Sequence, residues 1–126
     1  MAEIKPMVNQ IEYHPLRTAE NLKGYMAANG IVLQAYTPLC RLIDPLRHSD
    51  LLSALSAKYG KSAGQIVLRW HIQNGSMPVF KTYNPKRFAE NIDVFGFCLT
   101  GEDMAAISAL NRNYKYHLES SCCPGY

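Results

Sequence analysis

The 126-residue chain predicts an α/β fold, a parallel sheet with helices packed outside it. Three observations predict it. Short apolar runs alternate with segments of helical period. The helical segments open on polar capping residues and several close on glycine. Strands separated by helical crossovers must run parallel. Three β/α units emerge within a single domain spanning 1–126, with no internal repeat. Periodicity alone suits a small doubly wound sheet as well as part of a barrel.

Met7 to Glu12 reads as the first strand. Thr18 is placed to cap a helix whose apolar positions Leu22, Tyr25 and Met26 follow the 3.6 period, with Gly30 as its stop. Ile31 to Tyr36 is short, β-branched and largely apolar, the pattern of a strand covered on both faces. Arg41 to Ser49 is an irregular connection, after which Asp50 begins a helix through Leu52, Leu55 and Tyr59 that Gly60 ends. Ser62-Ala63-Gly64-Gln65 is a capping box opening a helix through Ile66, Leu68, Trp70 and Ile72, and Gly75 stops it. Met77 to Phe80 makes the third strand. Asn84-Pro85 is a cap and first-turn pair. Thr100 to Asp103 starts a last helix along Met104, Ile107 and Leu110, and the tail from Tyr114 lacks a period.

Composition narrows the function classes. Hydrophobic content of 48% and charged content of 18% are globular values. A net charge of +3 gives no basic stripe for nucleic acid. The uncharged run from Gly24 to Cys40 is broken by Asn29, Gly30, Gln34 and Pro38, so no membrane span is expected. The start has no apolar signal region. The four cysteines lack zinc-site spacing. Cys40 and Cys98 read as reduced, partly buried thiols, and a bridge between neighbouring Cys122 and Cys123 would be strained. Free thiols without an export signal favour the cytoplasm. His48, His71 and His117 have no ligand spacing, and His14 before Pro15 reads as structural.

The chemistry concentrates in Val79 to Asn91. There a strand end leads through a polar loop into the Asn84-capped helix. A helix N-terminus presents amide donors and positive dipole to a phosphate. Lys81 and Arg87 add charge, Thr82 a hydroxyl, and Glu90 and Asn91 groups suited to an amine or ring nitrogen.

Lys81-Thr82, four residues, then Arg87-x-x-Glu90-Asn91 resembles the 2′-phosphate and adenine site of the aldo-keto reductases. Val8 to Pro15 resembles the end of that family's sixth barrel strand and Ile31 to Leu39 its seventh; Ile66 to Trp70 and Asn111-Arg112-Asn113 fit too. The resemblance implies a partial (β/α)8 TIM barrel, its last three units plus a C-terminal helix and tail. It implies NADPH or NADP as cofactor, with Gln10 on the nicotinamide carboxamide and Tyr36 stacked on its ring. Lys81, Thr82 and Arg87 would hold the 2′-phosphate, and Glu90 and Asn91 the adenine. The family carries its proton-donating tyrosine, lysine, aspartate and histidine on its first four strands. Tyr13, Tyr25, Tyr59 and Tyr83 supply no substitute set, so no catalytic residue is assigned. A carbonyl substrate is expected only in a complete barrel.

The chain departs from the family at Phe80, where proline is usual, and its tail transfers nothing about substrate. Leu39 and Cys40 lie where the family's pyrophosphate-covering loop begins, but this loop is short and no contact is carried over. Three strands leave open edges and an uncovered inner face, so the chain alone is expected to aggregate, to self-associate through its open edges, or to rearrange from the parent layout. The alternative is a non-catalytic truncated paralogue, a nucleotide-binding or assembly protein.

Overall fold

The computed structural model describes residues 3–117. The elements run β1 (Val8–Glu12), α1 (Glu20–Ala28), β2 (Val32–Tyr36), α2 (Asp50–Tyr59), α3 (Ala63–Gln73), β3 (Met77–Val79), α4 (Pro85–Ile92) and α5 (Gly101–Ser108). The strands form one parallel sheet in the order β1-β2-β3. Val8 pairs with Val32, Gln10 with Gln34, Glu12 with Tyr36, and Tyr36 with Val79. The alternation of β/α units therefore builds the open, partial barrel that the sequence implies.

Local chemistry explains most helix starts. Ser62 accepts from the Gln65 amide while the Gln65 side chain returns to the Ser62 amide, a complete capping box. Thr100 and Asp103 do the same for α5. Ser49 caps α2, and Gly60 closes it in the left-handed region at φ 63°. The expected Thr18 cap is absent. Ala19 holds the N-cap position at φ 44° without a side-chain bond, and buried Thr18 instead donates its amide to Asn111 Oδ1 at 3.3 Å. A tertiary partner outcompetes the local cap there. Helix α5 ends at Ser108, so Leu110 lies beyond it.

The core lies between the sheet's outer face and the helices. Ile11, Leu33 and Ala35 meet Met26, Leu52, Leu55, Ile66, Val67, Trp70 and Ile107. Trp70 stacks on Tyr13, with centroids 5.2 Å apart and planes at 12°, and its indole donates to Ser108 Oγ at 3.0 Å. His71 is fully buried. Its Nε2 donates to the Pro38 carbonyl and its Nδ1 accepts from Ser76 Oγ, each at 2.9 Å. Burial pushes its pKa down to about 4, so the ring is neutral.

The other face of the sheet corrects the reading of β2 as doubly covered. Val8, Val32, Tyr36, Met77 and Val79 project there and remain 37–49% exposed. Gln10 donates to Gln34 Oε1 at 2.5 Å, and Gln34 Nε2 reaches Met77 Sδ, a polar line across all three strands. Cys98 also departs from expectation: it is exposed, with Arg69 donating to its sulfur at 2.8 Å, whereas Cys40 is buried. Burial, with the Glu12 charge, raises the Cys40 thiol to about 11. Cys122 and Cys123 lie outside the described residues.

Candidate functional site

A cavity of about 1200 Å³ opens at the C-terminal ends of β2 and β3. One wall is the segment after β2, Thr37 to Leu42; the other is the β3–α4 passage. The N-terminus of α3, Ser62 to Gly64, contributes a third side. In parallel α/β architectures this is where strand ends turn functional groups toward a ligand.

Lys81, Thr82, Arg87, Glu90 and Asn91 all line this cavity. The structure thus brings together five of the seven residues singled out from the sequence. The local reason is the Asn84–Pro85 start of α4, which places Arg87, Glu90 and Asn91 on consecutive turns behind the loop that carries Lys81 and Thr82. No residue of α4 is buried, so the helix keeps its polar groups at the surface.

The details alter one expectation. Asn84 Oδ1 accepts from the Lys86 amide at 2.9 Å and the Arg87 amide at 3.5 Å, while the Phe88 amide bonds the Asn84 carbonyl. Pro85 has no amide hydrogen. The first-turn donors of α4 are therefore engaged, and an anion here would meet side chains and dipole rather than free amides. Lys81 Nζ rests over the Tyr83 ring at 4.6 Å, and Thr82 Oγ1 accepts from the Asn84 amide at 3.2 Å. Glu90 accepts from Ser62 Oγ, which ties α4 to the cap of α3.

Gln10 and Tyr36 stand apart from this set, on the open sheet face. Gln10 is in the middle of β1 rather than at its end, with its amide nitrogen turned to Gln34. Tyr36 ends β2, and the His117 ring packs edge-on against it, centroids 5.7 Å apart.

The sequence reading missed three features. Arg41 and Arg47 line the cavity and add two cations to it. Their signal, two arginines in a charged connection, was visible but not tied to the site. Glu12 is 5% exposed and accepts from the Tyr116 and His117 amides at 2.5 and 3.1 Å, and from His14 Nε2 at 3.0 Å. Burial raises its pKa, but these donors outweigh burial and hold the carboxyl below its usual range. No local pattern reveals a bond across so long a separation. Finally, Tyr59 does meet a lysine and an aspartate. Its hydroxyl donates to Asp103, which also accepts from Lys58 Nζ at 2.8 Å. The Thr100 amide donates to the same hydroxyl at 3.2 Å, so this trio is the cap of α5.

Among the described residues no cluster of His, Cys, Asp or Glu could hold a metal, and no helix is long and apolar enough to cross a membrane.

Comparison with known proteins gives consistent matches. The model of the aldo/keto reductase family matches residues 44–112. Glyoxal reductase of Bacillus subtilis (strain 168) is 42% identical over 112 residues, covering 89% of this chain and 40% of the relative. Aldo-keto reductase family 1 member D1 of Oryctolagus cuniculus is 41% identical over 121 residues, covering 89% of this chain and 37% of the relative. Among solved structures, the Bombyx mori aldo-keto reductase AKR2E4 in complex with NADP superposes with a TM-score of 0.87 at 39% identity. That match covers 92% of this chain and 40% of the other. An aldo-keto reductase (AKR2E5) complexed with NADPH gives 0.87 at 27% identity, covering 94% and 39%. The chain thus spans only about two-fifths of the length of these relatives.

Proposed function

Because the chain belongs to the aldo/keto reductase family, we propose that it is the C-terminal, NADP(H)-gripping portion of a carbonyl-reducing barrel. The observation that carries this reading is the convergence of Lys81, Thr82 and Arg87 on one cavity, with Glu90 and Asn91 beside them. A planar guanidinium, a compact ammonium and a hydroxyl on one wall form a donor set matched to a phosphate dianion. Those three residues would hold the 2′-phosphate of NADP(H). Asn91 would meet the adenine edge, with Glu90 fixed for the same task by its bond from Ser62. Tyr36 would offer its ring to the nicotinamide. Gln10, with its nitrogen already given to Gln34, would present its oxygen to the carboxamide.

Bound there in a complete barrel, the reduced nucleotide would supply a hydride to an aldehyde or ketone carbon. This chain's own residues bind and orient; they do not supply the proton. Tyr13 is sealed in the core against Trp70, and Tyr59 is committed to the α5 cap. We therefore assign no catalytic residue to this chain, and a carbonyl substrate only to a complete barrel. The exposed inner face, with both outer strand edges unpaired among the described residues, favours a second reading in which the chain assembles with copies of itself.

Calorimetric titration tests the grip. NADP+ is expected to bind more tightly than NAD+, and Arg87→Ala should remove the preference by weakening NADP+ about ten-fold or more. Equal affinities for the two nucleotides would sink the reading. Carbonyl turnover with NADPH on the chain alone should be undetectable; a measurable rate would show that the proton donor is present after all.

A further inference from the structure

Glu12 ends β1 on the open face, in register with Tyr36, yet it is buried where Val8 and Val32 are not. What covers it is the strap that follows α5. Arg112 and Tyr114 hang their amides on the Leu16 carbonyl, each at 3.0 Å. The Tyr116 and His117 amides then close on the two oxygens of Glu12. Two side chains of the strap, Tyr116 and His117, meet the segment after β2. His117 Nε2 lies 2.8 Å from Thr37 Oγ1, its ring is against Tyr36, and the Arg41 guanidinium sits 5.3 Å over the Tyr116 ring. Thr37, Arg41 and His117 are all cavity-lining residues.

The wall they brace is an unusual one. Thr37, Cys40, Arg41 and Leu42 all have positive φ, 45–53°, without a glycine among them. Such a backbone persists only when neighbouring contacts over-determine it. The His71 bond to the Pro38 carbonyl secures it from the core side. The strap secures it from the solvent side, and the end of the strap, Tyr116 and His117, in turn hangs on one carboxylate.

We propose that Glu12 is a positioning residue for the nucleotide site: by anchoring Tyr116 and His117 it fixes the Thr37–Leu42 wall beside Tyr36, on the redox-ring half of a dinucleotide, and leaves the α4 phosphate grip untouched. The proposal rests on the reading that the cavity takes NADP(H). It divides the ligand into two halves with separate supports. Lys81 and Thr82 sit in the loop between β3 and α4, Lys81 over the Tyr83 ring and Thr82 on the Asn84 amide, and Arg87 is on α4.

Two probes separate the halves. On this reading NADP+ would occupy both halves, whereas adenosine 2′,5′-bisphosphate, which lacks the redox half, would reach only the α4 end. Glu12→Gln replaces one acceptor oxygen by an N–H group that opposes a strap amide. Calorimetry on the folded variant should show NADP+ weakened about ten-fold and the bisphosphate unchanged within about two-fold. His117→Ala, an exposed position whose loss spares the fold, should weaken NADP+ about three-fold, again without effect on the bisphosphate. If Glu12→Gln fails to fold, His117→Ala decides. Unchanged NADP+ binding in the deciding variant overturns the proposal, as does a parallel loss of both ligands. Arg87→Ala reports on the underlying reading instead, because it should weaken both probes. If Arg87→Ala moves neither while Glu12→Gln still splits them, the phosphate assignment fails and the strap's role stands. If the wild-type chain binds neither probe, both ideas fall.

Discussion

Helices α3 and α4 begin alike and end in different roles. Each opens on a polar residue that caps its first amides, Ser62 for one and Asn84 for the other. Beyond the cap they diverge. Helix α3 buries Gly64 through Leu68, Trp70 and His71, whereas no residue of α4 is buried. Helix α3 is therefore sunk in the core, and Arg87 and Glu90 of the candidate site ride on a helix that buries no residue. Residues can change on α4 without threatening the sheet that positions them.

The sharpest way to break this contrast is to hollow out α3. Trp70→Ala removes the stack on Tyr13 and the bond to Ser108. It should cost about 3–5 kcal/mol, enough to unfold so small a domain, as read by urea denaturation. A loss under about 1 kcal/mol would refute the placement of the core.

Acid should act next, and again through α3. His71 is neutral in the fold with a pKa near 4 but takes up a proton in the unfolded chain below about 6.5. The unfolded state then binds more protons, so stability falls as pH drops from about 6.5 toward 4, by roughly 1 kcal/mol per unit. Glu12, held below the ordinary carboxylate range, has the same sign and adds to the loss at the acid end. A melting temperature flat from pH 7 to 4 would contradict the burial of His71.

The caps make a finer test. Ser62→Ala removes one acceptor from α3 and the donor to Glu90, and should cost about 1 kcal/mol. Smallest of all, Arg87→Ala on α4 should change stability by less than about 0.5 kcal/mol. If Arg87→Ala destabilised as much as Ser62→Ala, α4 would be part of the framework after all.

The same contrast explains what could be read in advance. Ser62 with Gln65, Thr100 with Asp103, and Asn84 with Pro85 act within one turn, so their signatures lie in adjacent letters. Thr18 misled because its competitor, Asn111, sits at the far end of the chain. The gathering of Lys81, Thr82, Arg87, Glu90 and Asn91 was legible because one strand end and one helix hold all five. The Glu12 anchor, the Gln10–Gln34 pair and the contribution of Arg41 and Arg47 were not, since each depends on segments joined only by folding. The apolar letters of β2 predicted two covered faces. The described residues cover only one, because sequence pattern records which surfaces avoid water in a complete barrel, not how many walls are at hand.

Pro78, in the middle of β3, has a consequence for how such a sheet could multiply. A proline has no amide hydrogen to offer a newcomer, so the outer rim of β3 is a poor template. Among the described residues nothing pairs with the outer rim of β1. Through its sheet edges, a body with one usable rim joins a single mate about a two-fold axis and then stops growing. Concentrated solutions of this chain should therefore yield discrete pairs instead of fibrils.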